Sequence, residues 1–178
     1  MEQTRLIEPQ WYAVYTRSKC EKAVSASFQG KSITHYLPLL HTTKRYTRKI
    51  KHYQKPLITC YVFTYITPDQ HLKVLDTPHV LGFIKNNGRL SAIPEQEILL
   101  LKQIVGEYAD VSVWHNDHVV IGEEVELIRG NLCGLRGKIV QIKGKKLFTV
   151  RLENIGISLS LDIEIQNLRR LKGLVAKA

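Results

Sequence analysis

The side chains able to do covalent or metal chemistry are scattered along this chain. Seven histidines are present, and no two stand at metal-ligand spacing on a helix. His115 and His118 lie three apart beside Asp117, but with no cysteine or second carboxylate pair nearby, so no metal site is expected. Cys20, Cys60 and Cys133 have no paired spacing, which argues against a disulfide framework or zinc ribbon and suits a reducing compartment. There is no phosphate-cradling glycine loop and no serine nucleophile elbow, and the acids of the first hundred residues do not cluster as a two-metal nuclease needs. The reading is a non-enzyme, with no catalytic residue, cofactor or metal.

The chemistry the sequence does concentrate is cationic. Lys44, Arg45, Arg48, Lys49, Lys51 and Lys55 fall in one acid-free stretch, interleaved with Tyr46 and Tyr53. Cations can follow a phosphate backbone while rings offer stacking surfaces; a solvated basic hairpin is the alternative. The whole chain has 26 basic and 16 acidic residues, a formal charge of +10. Residues 1–108 hold 15 basic and 8 acidic groups and residues 119–178 hold 11 and 6, so both parts favour polyanions by counterion release. Met1 to Gln10 has charges throughout and no apolar core, and no apolar run approaches the ~20 residues of a membrane span. A cytoplasmic protein with no membrane contact is expected.

These groups must be positioned by a small set of elements. Trp11–Tyr15 reads as a strand, and Ser18–Lys19–Cys20–Glu21 as a capping box opening a helix over 19–29 that stops at Gly30. Ala23, Val24, Ala26 and Phe28 supply its inner face. Ile33–Leu40 is a strand interrupted by Pro38, and Leu57–Ile66 is the strongest strand. A brief helix over Pro68–Leu75, a strand over Val80–Ile84 and an Asn87-Gly88 hairpin turn follow. Pro94 opens a last helix, with Ile98, Leu101, Val105 and Tyr108 on one stripe. Such a series predicts an α+β sandwich over residues 1–108. Residues 109–118 read as a linker. From Val119 only short β-rich runs punctuated by glycines remain, predicting a small antiparallel barrel over 119–178.

Within that second part, Val125 to Val140 places two alternating strands around a loop with Gly130, Gly134 and Gly137. Glycine is needed where a chain takes positive φ or passes close to a neighbouring strand. This segment resembles the KOW motif. Upstream, Trp11–Arg17, Glu21–Lys22, Tyr36–Leu37–Pro38, Lys55–Pro56–Leu57, Tyr61–Val62–Phe63 and Ile93–Pro94 resemble, in order, the NGN domain of the NusG family. The resemblance runs from Trp11 to Leu171 and is closest to specialised paralogues of the UpxY type, which act on polysaccharide biosynthesis operons. Arg151–Leu152–Glu153–Asn154–Ile155–Gly156 and the alternating strand after it carry that choice.

The resemblance implies a processivity or antitermination factor that binds the clamp region of RNA polymerase as a monomer. It implies polymerase contacts at Tyr15, Ile58 and Tyr61. A His-Thr-Thr-Thr element of one specialised relative maps to Gln70, His71 and Lys73, not to His41–Thr42–Thr43. Arg17, Lys19 and Lys22 are implied to meet non-template DNA or the upstream duplex; Lys44, Arg45, Tyr46, Arg48, Lys49 and Lys51 are expected to add nucleic-acid contacts on the strength of their own charges and rings. The KOW part is implied to reach nascent RNA or the ribosome. Two departures stand out: Ile58–Thr59–Cys60–Tyr61 replaces the usual Phe-Pro-Gly-Tyr, and Asn131–Leu132 replaces Pro-Phe in the KOW loop. The rival readings are a ribosome-associated or general RNA-binding KOW protein, and a metal-dependent nuclease.

Overall fold

A computed structural model describes residues 8–47, 49–86, 88–108, 111–115, 122–142 and 145–171. It divides the chain into two compact units, Met1–Val105 and Gly106–Ala178. The first unit opens with strand β1 (Gln10–Thr16) and helix α1 (Glu21–Gly30), then β2 (His35–Tyr36). A hairpin follows, β3 (Leu39–Tyr46) and β4 (Lys49–Pro56), and then β5 (Tyr61–Ile66). A 3-10 turn (Pro68–Gln70) leads into α2 (His71–Leu75), β6 (Val80–Phe83), the short pair β7 (Lys85–Asn86) and β8 (Arg89–Leu90), and α3 (Glu95–Glu107).

The central sheet has the order β2-β5-β1-β6, and β1 is antiparallel to both neighbours. Alternation divides its side chains. Tyr12, Val14, Val62 and Ile66 join Val24 and Phe28 of α1 and Val74 of α2 in one buried cluster. On the other face Lys102 of α3 lies over the rings of Trp11 and Tyr36, 5.7 and 5.5 Å from their centroids. Burial there pushes the Tyr36 phenol up to about 12, so its hydroxyl stays protonated. Helices thus cover both faces, and the sheet's apolar alternation has somewhere to go on each side.

Several boundaries move from the sequence reading. Helix α1 starts at Glu21 with Cys20 as N-cap and no side-chain cap bond, because the Glu21 carboxylate is engaged elsewhere. Its buried face is Glu21, Val24 and Phe28, while Ala23 and Ala26 are exposed. Gly30 does close the helix, but Ser32 takes the left-handed conformation that follows. Pro38 divides the second strand into β2 and β3. Residues 57–60 form a turn rather than the start of β5. On α3 the buried stripe is Ile98, Leu101 and Ile104; Tyr108 lies past the helix end. Asn87 is outside the described residues, and Gly88 has φ 78 in the turn.

The second unit is a sheet of order β14-β10-β11-β12-β13-β9, antiparallel between all neighbours, formed by β9 (Val111–His115), β10 (Glu123–Leu127), β11 (Arg136–Ile142), β12 (Lys145–Leu152), β13 (Ile157–Leu161) and β14 (Leu168–Arg170). Residues 111–115, read as linker, instead pair with β13 from Ile157↔His115 to Leu161↔Val111. The cause is their own alternation, Val-Ser-Val-Trp-His, matched to a strand with an open edge. Val125, Leu127, Phe148, Val150, Leu152, Leu159 and Leu161 are buried. Gly130 and Gly134 have φ 83 and 88, and the Gly134 amide donates to the Leu127 carbonyl at 2.7 Å to close the loop. Leu132 is buried at its centre.

Gly137 is held by contact and not by φ. A Cβ there would lie 2.6 Å from Phe148 Cζ and 2.6 Å from the Thr149 carbonyl oxygen. Gly137→Ala is therefore expected to destabilise the second unit by about 1–3 kcal/mol. Gly106→Ala, with nothing within 4 Å and in a helix, should be neutral or stabilising by up to about 1 kcal/mol. Paired chemical denaturation curves of the two variants check the contrast; equal midpoints would remove the packing explanation.

Candidate functional site

At one end of the central sheet Tyr15 of β1 faces Tyr61 of β5 as direct cross-strand partners. Their rings meet edge to face, 5.9 Å between centroids at 81°. Tyr15 is 41% exposed and Tyr61 half-buried. Burial first, then the neighbouring Tyr15 and Cys60, pushes the Tyr61 phenol up, so both a ring and a neutral hydroxyl are presented.

The turn before Tyr61 sets this pair. Cys60 adopts φ 66, a left-handed conformation that costs a residue with a Cβ on the order of 1 kcal/mol. Two bonds hold it there. The Glu21 carboxylate, 4% exposed, accepts from the Cys60 amide at 2.7 Å, and the Cys60 carbonyl accepts from the Thr16 amide at 2.9 Å. Cys60 occupies the place of the glycine in the Phe-Pro-Gly-Tyr pattern, and the backbone conformation explains why glycine suits that position.

The other expected contact residues are not all at the surface. Ile58 is 0% exposed, so it packs inward and is not the exposed apolar anchor that was expected. Its neighbour Leu57 is buried too, which makes the segment a core plug. The His71 ring lies against Tyr12 (5.3 Å) and Phe83 (4.9 Å), with Nε2 buried and unbonded among the described residues; it packs under α2 and does not project from it. Gln70 Oε1 accepts from the Thr67 amide at 3.3 Å, and Lys73 is exposed. Leu72 (70% exposed), Leu75 and Leu81 were missed from sequence. The only signal was the i, i+3 spacing of Leu72 and Leu75, which normally marks a core stripe.

Of the basic groups, Arg17 and Lys19 lie exposed in the turn after β1, where Lys19 has φ 64. Lys22 donates from Nζ to the Gln54 carbonyl at 2.8 Å, joining α1 to β4. The basic stretch is a regular hairpin from Leu39↔Pro56 to Tyr46↔Lys49. Lys49, Lys51 and Lys55 on β4 are exposed, as is Arg45 on β3. Lys44 and Tyr46 fall on β3 by register, and Arg48 is outside the described residues. No group of three potential metal ligands occurs among the described residues; His118 and Asp117 lie outside them. No described helix is long and apolar enough to cross a membrane.

The first unit is thus an antiparallel sheet with helices on its faces and the Tyr15–Tyr61 pair at one end, and the second is a small all-β unit with a KOW-like glycine loop. The chain belongs to the NusG family: the model described as "Transcription termination factor nusG" matches residues 9–102. The solved structure "Domain interaction in Thermotoga maritima NusG" shares its fold, with TM-score 0.58 and 17% identity over 93% of this chain and 98% of that one. "Crystal Structure of MjSpt4:Spt5 complex conformation A" aligns over 90% and 97% at 18% identity and TM-score 0.31. No curated protein sequence matches the chain. Family members regulate transcription without catalysing a reaction, and that coarse function holds here.

The turn yields two opposite expectations. Glu21→Ala strands the Cys60 amide and should cost about 1–3 kcal/mol. Cys60→Gly relieves the left-handed strain and should be stabilising by up to about 1 kcal/mol, offset in part by the entropy of the unfolded glycine. Urea unfolding of both variants checks the signs; a destabilising Cys60→Gly would contradict the strain.

Proposed function

We propose that this chain binds elongating RNA polymerase at its clamp region through the Tyr15–Tyr61 end of the central sheet, and so suppresses pausing and termination. The observation that carries the reading is the edge-to-face pair of exposed Tyr15 and half-buried Tyr61, next in the chain to the exposed cations Arg17 and Lys19. Aromatic residues at the centre of a patch with a charged rim are the usual energetic anchors of protein interfaces. The mechanism is mechanical. A unit bridging the two sides of the DNA channel holds the clamp closed, which raises the barrier to the open, paused state. Arg17, Lys19, Lys22 and the hairpin lysines steady the displaced non-template strand or the upstream duplex. Gln70 and Lys73 make a second, polar contact, and the KOW unit recruits nascent RNA or the ribosome. The protein acts in the cytoplasm as a monomer, at particular operons of the polysaccharide-biosynthesis type.

One observation favours a second reading, a general RNA-binding or ribosome-associated KOW protein. A groove of about 580 Å³ in the second unit is lined by Arg136, Lys138 and Arg151 together with Glu124 and Glu153. That reading predicts RNA binding without polymerase, lost in Lys138→Gln.

Core polymerase at low salt, competed by a clamp-helix fragment, separates the two. Wild-type chain should be retained and displaced by the competitor, and Tyr15→Ala or Tyr61→Ala should weaken retention on the order of tenfold or more. No retention of the wild type, or equal retention of the tyrosine variants, would sink the proposal.

A further inference from the structure

The two edges of the second unit's sheet are held differently. At one edge β14 pairs with β10 from Val125↔Arg170 to Leu127↔Leu168. Two ion pairs latch that ladder, Arg169 with Glu126 and Arg170 Nε with Glu123 Oε1 at 3.1 Å. At the other edge β9 lies along β13 from Ile157↔His115 to Leu161↔Val111. Among the described residues no ion pair or side-chain hydrogen bond is made by Val111, Ser112 or Val113. Burial is also one-sided. All five residues of β13 are buried, whereas Val111 and Val113 are half-buried and Ser112 is exposed. The inner side of β13 is tied down independently: it pairs with β12 along its whole length, and Ser160 Oγ lies 2.7 Å from Thr149 Oγ1.

A short edge strand with little buried side chain and a ladder on one side opens at lower free energy than the sheet it lies on. Its place in the chain gives that opening a consequence. Strand β9 falls between the end of α3 at Glu107 and the start of β10 at Glu123. While it is docked, only residues 108–110 join α3 to the sheet, a connector that extends to at most about 14 Å. Once it lifts off, residues 108–122 do so, and the connector extends to about 56 Å. Five residues of pairing therefore change its length about fourfold. The same step bares the backbone groups of β13 that had bonded to β9, a row able to pair with another extended segment.

We propose that β9 is a releasable clasp on the β13 edge, which sets the length of the connector and can be exchanged for a like strand supplied from outside. Opposed residues in an antiparallel ladder share a face, so Val111 and Val113 stand against Leu161 and Leu159, which line the core with Phe148 and Val150. The segment that fits this edge is accordingly extended, with apolar residues at those two positions and a small polar one between them. The clasp does not depend on the polymerase contact proposed above.

Native-state hydrogen exchange of the full chain, read amide by amide by NMR, tests this without any partner. Alternate residues of an antiparallel strand bond to opposite neighbours. The amides of 111–115, with those of β13 that bond to β9, should exchange on the order of a hundredfold or more faster than the β13 amides that bond to β12. Val113→Asp, which sets a carboxylate against Leu159, should abolish protection of the first group, leave the second protected, and hardly move the urea midpoint of the second unit. A synthetic peptide with the sequence of residues 110–116, at about the millimolar effective concentration of a tethered strand, should restore protection of the β13 edge in that variant. The peptide carrying the same Val113→Asp change should not. Uniform protection of β9, β13 and β12 in the wild type, or loss of all β13 protection in Val113→Asp, would make β9 an integral strand and overturn the proposal. An edge that the wild-type peptide leaves unprotected would overturn it too.

Discussion

A buried carboxylate reaching across the first unit to a backbone amide fixes the end of its central sheet. Glu21 begins α1 yet spends its charge on the amide of Cys60, the last residue before β5. Hydrogen bonds to a charged group in a dry setting are among the stronger ones, about 1.5–3 kcal/mol. That strength holds a non-glycine residue in a left-handed turn, and the turn decides where β5 begins. Because β5 begins at Tyr61, its register against β1 sets Tyr61 beside Tyr15. The turn held by Glu21 and Thr16 thus ends the ladder at the aromatic pair.

The rest of the first unit separates rigid from adaptable parts. The sheet is covered by α1 and α2 on one face, and by α3, pinned through Lys102 over Trp11 and Tyr36, on the other. The hairpin has no such cover. Beyond Leu40 its side chains are exposed or half-buried wherever they are described, and Ile50 is 57% exposed. What fixes it is its own ladder and the Lys22 tether.

Local chemistry made much of this readable from sequence. Strands β1 and β5, the Pro-opened α3, and the glycines at 130 and 134 announced themselves through alternation, capping residues and turn chemistry, and fragment order pointed to the family. What was misread depended on partners distant in the chain. Glu21 looked like half of a capping box because its real partner is thirty-nine residues away. Ile58 looked like a surface anchor because nothing local shows that the turn points it inward. Residues 111–115 looked like a linker because their ladder partner, β13, comes more than forty residues later. The left-handed Cys60 carries no signal beyond its occupying a place where relatives have glycine.

The central claim is that the Tyr15–Tyr61 end of the sheet acts on a moving polymerase. Single-round transcription by purified polymerase across a strong pause site tests it most directly. The account predicts that added wild-type chain shortens the pause, and that Tyr61→Ala loses most of this effect while unfolding at the same urea concentration as wild type. A pause unchanged by the wild-type chain, or shortened equally by Tyr61→Ala, would contradict it.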